Sequence, residues 1–432
     1  MLATTYELDG VEVEQQGHGT AFVTGLGVED VGLSGGEVEG LEAVRVLVQQ
    51  VAEVGRGPVG GGKRKQHRAG SQVKRTPGKE KFPGREQSPA QHYIASMEKL
   101  RKTLYTILSL IAIAVAVASI LSLFRNTESR YLKMLDFPRI QLFLLSVVSL
   151  VLFVLTTRRW QWWDYLLVGA LLTGLIVNGA YLVYYTPLVS PRVPQADAAA
   201  VDSAATISLL LANVKMSNRQ SEPLLKLIQE KSPDLVLAME VDAWWDEQLR
   251  PIERDYPYTH EAINAAAYGM TLYSKYPFED LQVNYLNNEK VPSFETRITL
   301  GNGQNVQLHT VHPVPPTRFE DLPDNAGQEE VAMLKLGQQV ANENLPAIVA
   351  GDINDVVWGY TDELTGTEDL LHDVRVGRGF YNSYDAESFF LRWPLDHVFV
   401  TKEFAVLELE RLRDVGSDHF PIYVRLALTE PN

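Results

Sequence analysis

The sequence predicts an α/β domain that follows three transmembrane helices. Three apolar runs, each of roughly twenty residues and therefore long enough to cross a bilayer as a helix, lie between residues 104 and 185. After residue 206, short apolar runs alternate with segments of helical periodicity, which is typical of an α/β domain with a β-rich end. The chain of 432 residues has no cysteine, which excludes disulfides, thiolate zinc sites and cysteine nucleophiles.

Residues 1–96 differ from the rest of the chain and predict a disordered N-terminal extension. The part up to Gly62 has no clear periodicity, and the part from Lys63 to Arg85 is basic and glycine-rich, a composition that stays solvated. A charged stretch then begins at Met97, directly before the first apolar run, as at a translation start. A misassigned start upstream of Met97 and a genuine cytoplasmic tail explain the extension equally well.

A membrane domain is predicted over residues 97–186. Its three transmembrane helices are expected at about 104–124, 140–156 and 163–185, and none of the three carries a charge in its centre. A cleaved signal peptide would explain the first run but not the other two. The sequence therefore predicts a multi-pass membrane protein.

Basic residues mark the cytoplasmic side of a membrane protein. Here they precede the first span and fill the loop between the second and third, at Lys99, Arg101, Lys102, Arg158 and Arg159. The loop at 125–139 also carries basic residues, partly offset by acids, which weakens the bias. Three spans that start in the cytoplasm would place the C-terminal domain on the opposite side of the membrane.

Residues 187–205 contain three prolines and predict a stiff, extended linker to a globular domain at 206–432. Strands are predicted at Ile207–Val214, Leu235–Val241, Met270–Ser274, Gln304–Val311, Pro346–Ala350, Val398–Val400, Ala405–Leu412 and Ile422–Leu428. Helices are predicted at Glu222–Glu230 and Gln328–Asn342.

The charge of the chain is concentrated in this globular domain. The whole chain has a formal net charge of −15, whereas residues 203–432 alone hold 36 acidic and 18 basic residues. An acidic domain does not attract nucleic acid through its overall field.

Eight polar residues stand at the ends of predicted strands: Asn213, Glu240, His312, Asp352, Asn354, Asp396, Asp418 and His419. A strand end is a position from which a rigid sheet presents reactive groups. Carboxylate and amide oxygens suit a hard cation such as Mg²⁺, so the set indicates a metal-assisted site for a phosphate ester. Taken alone, each residue has a structural explanation; Asp352, for example, could cap the next helix.

Seven segments in order resemble the motifs of the endonuclease/exonuclease/phosphatase superfamily and cover about residues 206–428. They are Ala212-Asn213-Val214, Ala238-Met239-Glu240-Val241, Gly269-Met270-Thr271-Leu272-Tyr273-Ser274-Lys275-Tyr276-Pro277, Val311-His312-Pro313, Gly351-Asp352-Ile353-Asn354, Leu395-Asp396-His397-Val398-Phe399 and Gly416-Ser417-Asp418-His419-Phe420-Pro421. The resemblance implies a four-layer α/β sandwich, in which two packed mixed sheets are flanked by helices. The segments at 312–316 and 392–397 look most like a bacterial, membrane-anchored branch, which implies an inner (plasma) membrane protein with a periplasmic catalytic domain.

The same resemblance implies a metal centre. Glu240 would be the main Mg²⁺ ligand, with Asn213 beside it and Asp418 contributing, and Mn²⁺ is the alternative ion. Ile353 stands where the family most often has Phe, which is a conservative departure.

Catalytic roles also follow from the resemblance. Asp352 would align the attacking water and help to deprotonate it, while Asn354 holds a phosphate oxygen. His419 would contact the phosphate or act as a base, oriented by Asp396. His312 would lie opposite, near the leaving group or a phosphate oxygen.

The function expected from these residues is a Mg²⁺-dependent phosphoric ester hydrolase anchored in a membrane. Its substrate could be a small molecule, a lipid head group or a nucleic acid, and no protein partner is predicted. The alternatives are an extracytoplasmic nuclease and a non-catalytic envelope protein that keeps the fold. His397 is expected to pack or bond locally, although a role in the site stays open.

Overall fold

The computed structural model describes residues 7–8, 11–12, 89–125, 130–315 and 331–429. Most of the extension predicted to be disordered, residues 1–96, lies outside the described residues, as does the start of the helix predicted at 328–342. Within the described part of that extension, Glu7–Leu8 and Val11–Glu12 form an antiparallel pair of two-residue strands.

Three long helices precede the globular domain, and each is long and apolar enough to cross a membrane. They are α1 (Pro89–Leu121), α3 (Arg139–Thr156) and α4 (Trp162–Leu182), with the short α2 (Arg130–Lys133) between the first two. Each contains an 18-residue stretch that is strongly apolar and has at most two charged residues. Helix α1 begins eight residues before Met97, earlier than predicted, because proline suits the first helical position and neither Gly nor Pro interrupts the residues that follow it up to Leu121.

The globular domain contains two mixed six-stranded sheets. One sheet consists of β1 (Thr206–Asn213), β2 (Leu235–Met239), β3 (Tyr258–Ala262), β4 (Met270–Ser274), β11 (Phe404–Arg411) and β12 (Ile422–Leu428), in the order β11-β12-β1-β2-β4-β3. The other consists of β5 (Glu279–Asn284), β6 (Ser293–Thr299), β7 (Asn305–Val311), β8 (Ala347–Asp352), β9 (His372–Asp373) and β10 (Asp396–Val400), in the order β9-β10-β8-β7-β6-β5.

The helices α5 (Glu222–Lys231), α6 (Ala243–Leu249), α7 (Val331–Asn342) and α8 (Thr361–Thr365) complete the domain. A central core fills the space between the two sheets, and Leu211, Leu237, Ile348 and Val398 belong to it. A second cluster packs α5 and α6 on one sheet, and a third packs α7 on the other. The predicted four-layer α/β sandwich is therefore confirmed.

The segment predicted to be a stiff, extended linker, 187–205, lies along the domain. Val193 is buried, and the backbone of Pro194 and Ala196 forms hydrogen bonds with Val406 on β11. An extended chain has unpaired N–H and C=O groups, and the edge strand β11 offers partners for them.

Candidate active site

Both sheets direct their polar strand ends toward the same end of the sandwich. Strand β1 ends at Asn213, and its parallel neighbour β2 ends at Met239, directly before Glu240. In the other sheet, β8 ends at Asp352, which pairs with Asp396 at the start of β10. The sheets thus bring together residues that are far apart in the sequence.

The backbone around the site takes conformations that residues other than glycine rarely adopt. Glu240, Asn354 and Lys215 have φ angles of 59°, 57° and 55°, in the left-handed region. Such residues cost on the order of 1–3 kcal/mol each and concentrate at functional sites. Gly351 allows the backbone of Val311 to approach closely, because a Cβ atom at residue 351 would lie 1.8 Å from the carbonyl oxygen of Val311. Both features fix Asp352 and Glu240 in position.

The amide of Asn213 links the two central carboxylates. Its Nδ2 donates to Glu240 Oε1 and to Asp352 Oδ2, at 3.0 Å in each case. Its Oδ1 accepts the backbone N–H of Lys215, and the backbone N–H of Met216 donates to Glu240 Oε2. Glu240 is half-buried, whereas Asn213 and Asp352 are buried.

Asp352 lies between two histidines. Its Oδ2 is 3.5 Å from Nε2 of His419 and 3.7 Å from Nε2 of His312. Burial raises the pKa of Asp352, although His419 opposes this rise. The raised pKa moves this carboxyl group toward the range of a general base at neutral pH. Burial lowers the pKa of His312, so His312 is the neutral member of the pair.

His419 is held by Asp396 through its other ring nitrogen. Nδ1 of His419 donates to Asp396 Oδ2 at 2.7 Å, and both residues are buried. Burial alone would lower the pKa of His419, but Asp396 and then Asp352 outweigh it and raise the pKa to about 10. His419 is therefore an imidazolium at neutral pH, and the predicted Asp396–His419 pair is present.

We expect a pH titration of the metal-free protein to show His419 protonated at neutral pH. Its folded pKa of about 10 exceeds the ordinary value of 6.5, so its stabilising effect is complete below pH 6.5 and is lost as the pH rises through about 10. Nuclear magnetic resonance of ¹⁵N-labelled histidines would measure the pKa of His419, and the variant His419→Gln would assign its signals. His397 is the control, because burial and Arg375 keep its pKa well below the ordinary value. A His419 pKa near 6.5 would contradict the assignment.

Asn354 and Asp418 lie at the margins of this network. The backbone N–H of Asn354 donates to Asp352 Oδ1 at 2.8 Å, and its side chain donates to the carbonyl of Pro313. Within the described residues, the Asp418 carboxylate contacts Lys215 at 3.3 Å and the hydroxyl of Ser417 at 3.4 Å. Asp418 thus joins the other site residues indirectly.

The predicted metal ligands offer the donor chemistry that Mg²⁺ requires. Glu240 and Asp418 supply carboxylate oxygens, both side chains are partly accessible, and Asn213 supplies an amide. Asn213 directs its Nδ2 at the carboxylates, so it would rotate its amide to present Oδ1 to a cation. Hard oxygen donors of this kind fit Mg²⁺ or Mn²⁺.

Another group of potential ligands lies deeper in the site. Asp352, Asp396 and His419 each offer an atom within 4.8 Å of the others. In this structure Asp396 and His419 already bond to each other, and a protonated imidazole does not bind a metal. The site offers two candidate positions for a metal, this buried group and the more accessible region around Glu240.

Several residues at the site were not predicted from the sequence. The hydroxyl of Ser417 donates to the carbonyl of Asn213, and the hydroxyl of Ser383 accepts the backbone N–H of Asp396. The ring of Tyr384 lies 4.9 Å from that of His419. Of these residues only Ser417 stood within a recognisable motif; the others come from the loop before β10, which carries no pattern of its own.

His397 lies beside the candidate site and bonds to Arg375 and Asp355. Its Nδ1 accepts from Arg375 at 2.5 Å, and its Nε2 donates to the carbonyl of Asp355 at 2.9 Å. It is fully buried. His397 therefore holds the loop that carries Asn354 rather than facing the Asp352 pocket, as expected for a residue that bonds locally.

The ends of the apolar helices hold the same loop from the other side. Arg125, just after α1, forms ion pairs with Asp136 and with Asp355, the latter at 3.1 Å. The indole of Trp358 donates to the carbonyl of Asp136, and the hydroxyl of Tyr185 donates to the carbonyl of Val357. The loop at 352–358 is thus fixed between the candidate site residues and the helices.

Residues 210–419 match the model of the Endonuclease/Exonuclease/phosphatase family. No curated protein matches the chain. Solved structures that are similar include TDP2 of D. rerio complexed with single strand DNA product, which is 17% identical with a TM-score of 0.42 over 52% of this chain and 99% of that chain.

Two further solved structures are similar to the same part of the chain. A family protein of Leptotrichia buccalis is 18% identical with a TM-score of 0.40, over 51% of this chain and 100% of that chain. The human Nocturnin catalytic domain with bound sulfate anion is 16% identical with a TM-score of 0.40, over 53% of this chain and 97% of that chain.

Proposed function

Since the chain belongs to the endonuclease/exonuclease/phosphatase family through residues 210–419, we propose that it is a membrane-anchored, metal-dependent phosphoesterase that hydrolyses a phosphodiester. The observation that carries the proposal is the position of Asp352 between His419 and His312, where the Asn213 amide links it to the Glu240 carboxylate. This arrangement supplies a base and a fixed positive charge in one buried place.

Asp352 is the group that takes the proton of the attacking water. Its Oδ1 is oriented by the backbone N–H of Asn354, and its Oδ2 faces both histidines. A base oriented in this way, with a pKa raised by burial, matches what general-base catalysis requires. A carboxylate in water would be too weakly basic for this step.

His419 and His312 act on the phosphate itself. The His419 imidazolium, fixed by Asp396, stabilises negative charge that develops on phosphate oxygens. Its raised pKa favours this contact over the role of a base. Neutral His312 orients a phosphate oxygen or the leaving group from the other side of Asp352.

A divalent cation at Glu240, Asn213 and Asp418 would supply further positive charge against the phosphate.

The orientation of the chain in the membrane decides which substrates reach the site. Arg125 pairs with Asp136 and Asp355, and Arg139 pairs with Asp136, so acids partly offset the basic residues of the loop at 125–139. Among the described residues, the basic residues at 99–102 and 158–159 have no acidic partner of this kind. This distribution supports an extracytoplasmic catalytic domain.

We expect a phosphatase reporter fused after Asn432 to be active, because such a reporter works only where the C-terminus is exported. The matched control is the same reporter fused after Arg159, in the loop predicted to be cytoplasmic. Activity from the Arg159 fusion, with a silent Asn432 fusion, would reverse the orientation.

The proposed activity is tested with the full chain purified in nanodiscs. Hydrolysis of a bis-aryl phosphodiester, an aryl phosphomonoester, DNA and RNA is measured with Mg²⁺, with Mn²⁺ and with a chelator, and Asp352→Asn serves as the inactive control. We expect metal-dependent hydrolysis of the diester. No hydrolysis of any substrate, or hydrolysis that Asp352→Asn leaves unchanged, would reject the proposal.

A further inference from the structure

A loop beside the active site exposes an unusual number of large apolar side chains. Within residues 386–391, the side chains of Phe389, Phe390 and Leu391 are 78%, 79% and 52% exposed. The two phenylalanine rings pack edge to face against each other, with ring centroids 4.9 Å apart. Adjacent exposed aromatic residues of this kind mark an interaction surface.

The base of this aromatic loop forms part of the wall of the site. The backbone N–H of Ala386 donates to the carbonyl of Asp418 at 2.7 Å. Glu387 forms an ion pair of 2.9 Å with Lys215, which also contacts Asp418. Whatever binds the tip of the loop is therefore held next to the catalytic residues.

The tip of the loop touches a membrane-spanning helix. The side chain of Gln141, the third residue of α3, donates to the carbonyl of Phe390 at 2.9 Å. The next turns of α3 expose Leu144, Leu145 and Val148. Since these side chains face the hydrocarbon in a spanning helix, the exposed Phe389 and Phe390 lie level with the end of the span, at the bilayer interface.

The catalytic histidine is close to the same level. Phe137, directly before α3, contacts Trp393 with ring centroids 5.9 Å apart. Trp393 stacks on Tyr384 at 6.0 Å, and Tyr384 lies 4.9 Å from His419. Three ring contacts thus connect the end of the membrane helices to the active site.

Two basic side chains lie between the loop and the site. Arg392 and Arg411 both stack on the ring of Phe420, with distances of 4.9 and 4.6 Å to its centroid. Among the residues that the structure describes, neither forms an ion pair, although the domain is acidic overall. Cations beside apolar anchors suit the anionic phosphates of lipid head groups.

We propose that the aromatic loop inserts into the outer leaflet and that the substrate is the phosphodiester of a lipid head group in the same membrane. This inference rests on the proposed phosphodiesterase function. A water oxygen forms a bond to phosphorus and the ester P–O bond to one alcohol breaks. One water proton passes by way of Asp352 to the leaving oxygen, and the other stays on the phosphomonoester product.

Insertion is tested without reference to activity. Because the chain has no cysteine, Phe389→Cys can be labelled alone with an environment-sensitive dye in vesicles of phosphatidylethanolamine and phosphatidylglycerol. The control is Tyr258→Cys, which is exposed on β3 at the end of the sheet opposite Asn213. We expect lipids with nitroxide-labelled chains to quench the dye at 389 strongly and the dye at 258 weakly. Equal quenching at the two positions would overturn the insertion.

Substrate class is tested with the double variant Phe389→Ser/Phe390→Ser and with Tyr258→Ser as the control. The probes are bilayers that contain phosphatidylglycerol or sphingomyelin, and a soluble bis-aryl phosphodiester. We expect wild type to hydrolyse a bilayer lipid, and the double variant to lower the ratio of lipid to soluble turnover by about tenfold or more. Soluble hydrolysis without lipid hydrolysis, or an unchanged ratio, would overturn the inference and leave the proposed function standing. Hydrolysis of neither probe would overturn both.

Discussion

The variant Glu240→Gln should lose activity by about a hundredfold or more, which corresponds to ~3 kcal/mol of transition-state stabilisation. It should also need a higher Mg²⁺ concentration for half-maximal activity. Glutamine keeps the shape of the side chain and can still accept the backbone N–H of Met216, so the strained backbone at this position should survive. What the variant removes is the negative charge that holds a divalent cation.

Asp242→Asn is the matched control for Glu240→Gln. It removes a carboxylate two residues away, and asparagine still caps α6, where Asp242 accepts the backbone N–H groups of Trp244 and Trp245. We expect near wild-type activity and metal response. Metal binding should also be measured directly, by the electron paramagnetic resonance of Mn²⁺. Equal Mn²⁺ affinity in Glu240→Gln and wild type would mean that Glu240 is not a ligand.

The direct measurement also separates the two candidate ligand groups. If the cation binds at Glu240, Asp396→Asn should bind Mn²⁺ about as well as wild type does. If the cation binds among Asp352, Asp396 and His419, then Asp396→Asn should lose Mn²⁺ affinity and Glu240→Gln should keep it. The two assignments therefore predict opposite results for the same pair of variants.

The sequence places the candidate site residues at strand ends because each follows or precedes a buried strand. Strand β8, for example, is apolar up to Ala350 and ends at the buried Asp352. The prediction that β2 extends to Val241 was too long by two residues. Glu240 takes a left-handed conformation that ends the strand at Met239.

Four strands of the globular domain were not predicted from the sequence. His372–Asp373 has only two residues and is too short to show a pattern, and the three longer strands lack the apolar runs of the central strands. They are Tyr258–Ala262, Glu279–Asn284 and Ser293–Thr299. The first two are edge strands, and their exposed or half-buried residues are mostly polar. Their strand conformation is set by pairing with neighbours, which a local pattern does not encode.

The contact between the apolar helices and the active-site loop was also beyond sequence reasoning. Arg125 and Asp355 are 230 residues apart, and neither stands in a motif. The cation of Arg125 also lies 3.6 Å from the centroid of the Tyr360 ring, whose hydroxyl donates to Asp355. Such a pairing follows only from the folded arrangement, and so does the protonation of His419, which depends on two carboxylates from two different strands.

The variants Asp396→Asn and His419→Gln should each lower turnover by about a hundredfold or more, and the double variant should be little worse than either. The reason is that the two side chains act as one unit, through the bond between His419 Nδ1 and Asp396 Oδ2. Glutamine is preferable to alanine at 419. Alanine would leave the buried Asp396 charge without its partner, which typically costs about 3–5 kcal/mol of stability.

The pH dependence of these variants distinguishes a catalytic pair from a structural one. Asparagine at 396 can still accept from Nδ1 but carries no charge, so the pKa of His419 should fall toward its ordinary value. Activity of Asp396→Asn should then partly recover as the pH is lowered, because acid restores the imidazolium. His419→Gln has no imidazole and should show no such recovery. Turnover and thermal unfolding are measured for all four proteins across pH. Two results would show that Asp396 does not act through His419. One is a double variant whose loss in log turnover is the sum of the two single losses, and the other is an activity–pH profile of Asp396→Asn that runs parallel to that of His419→Gln.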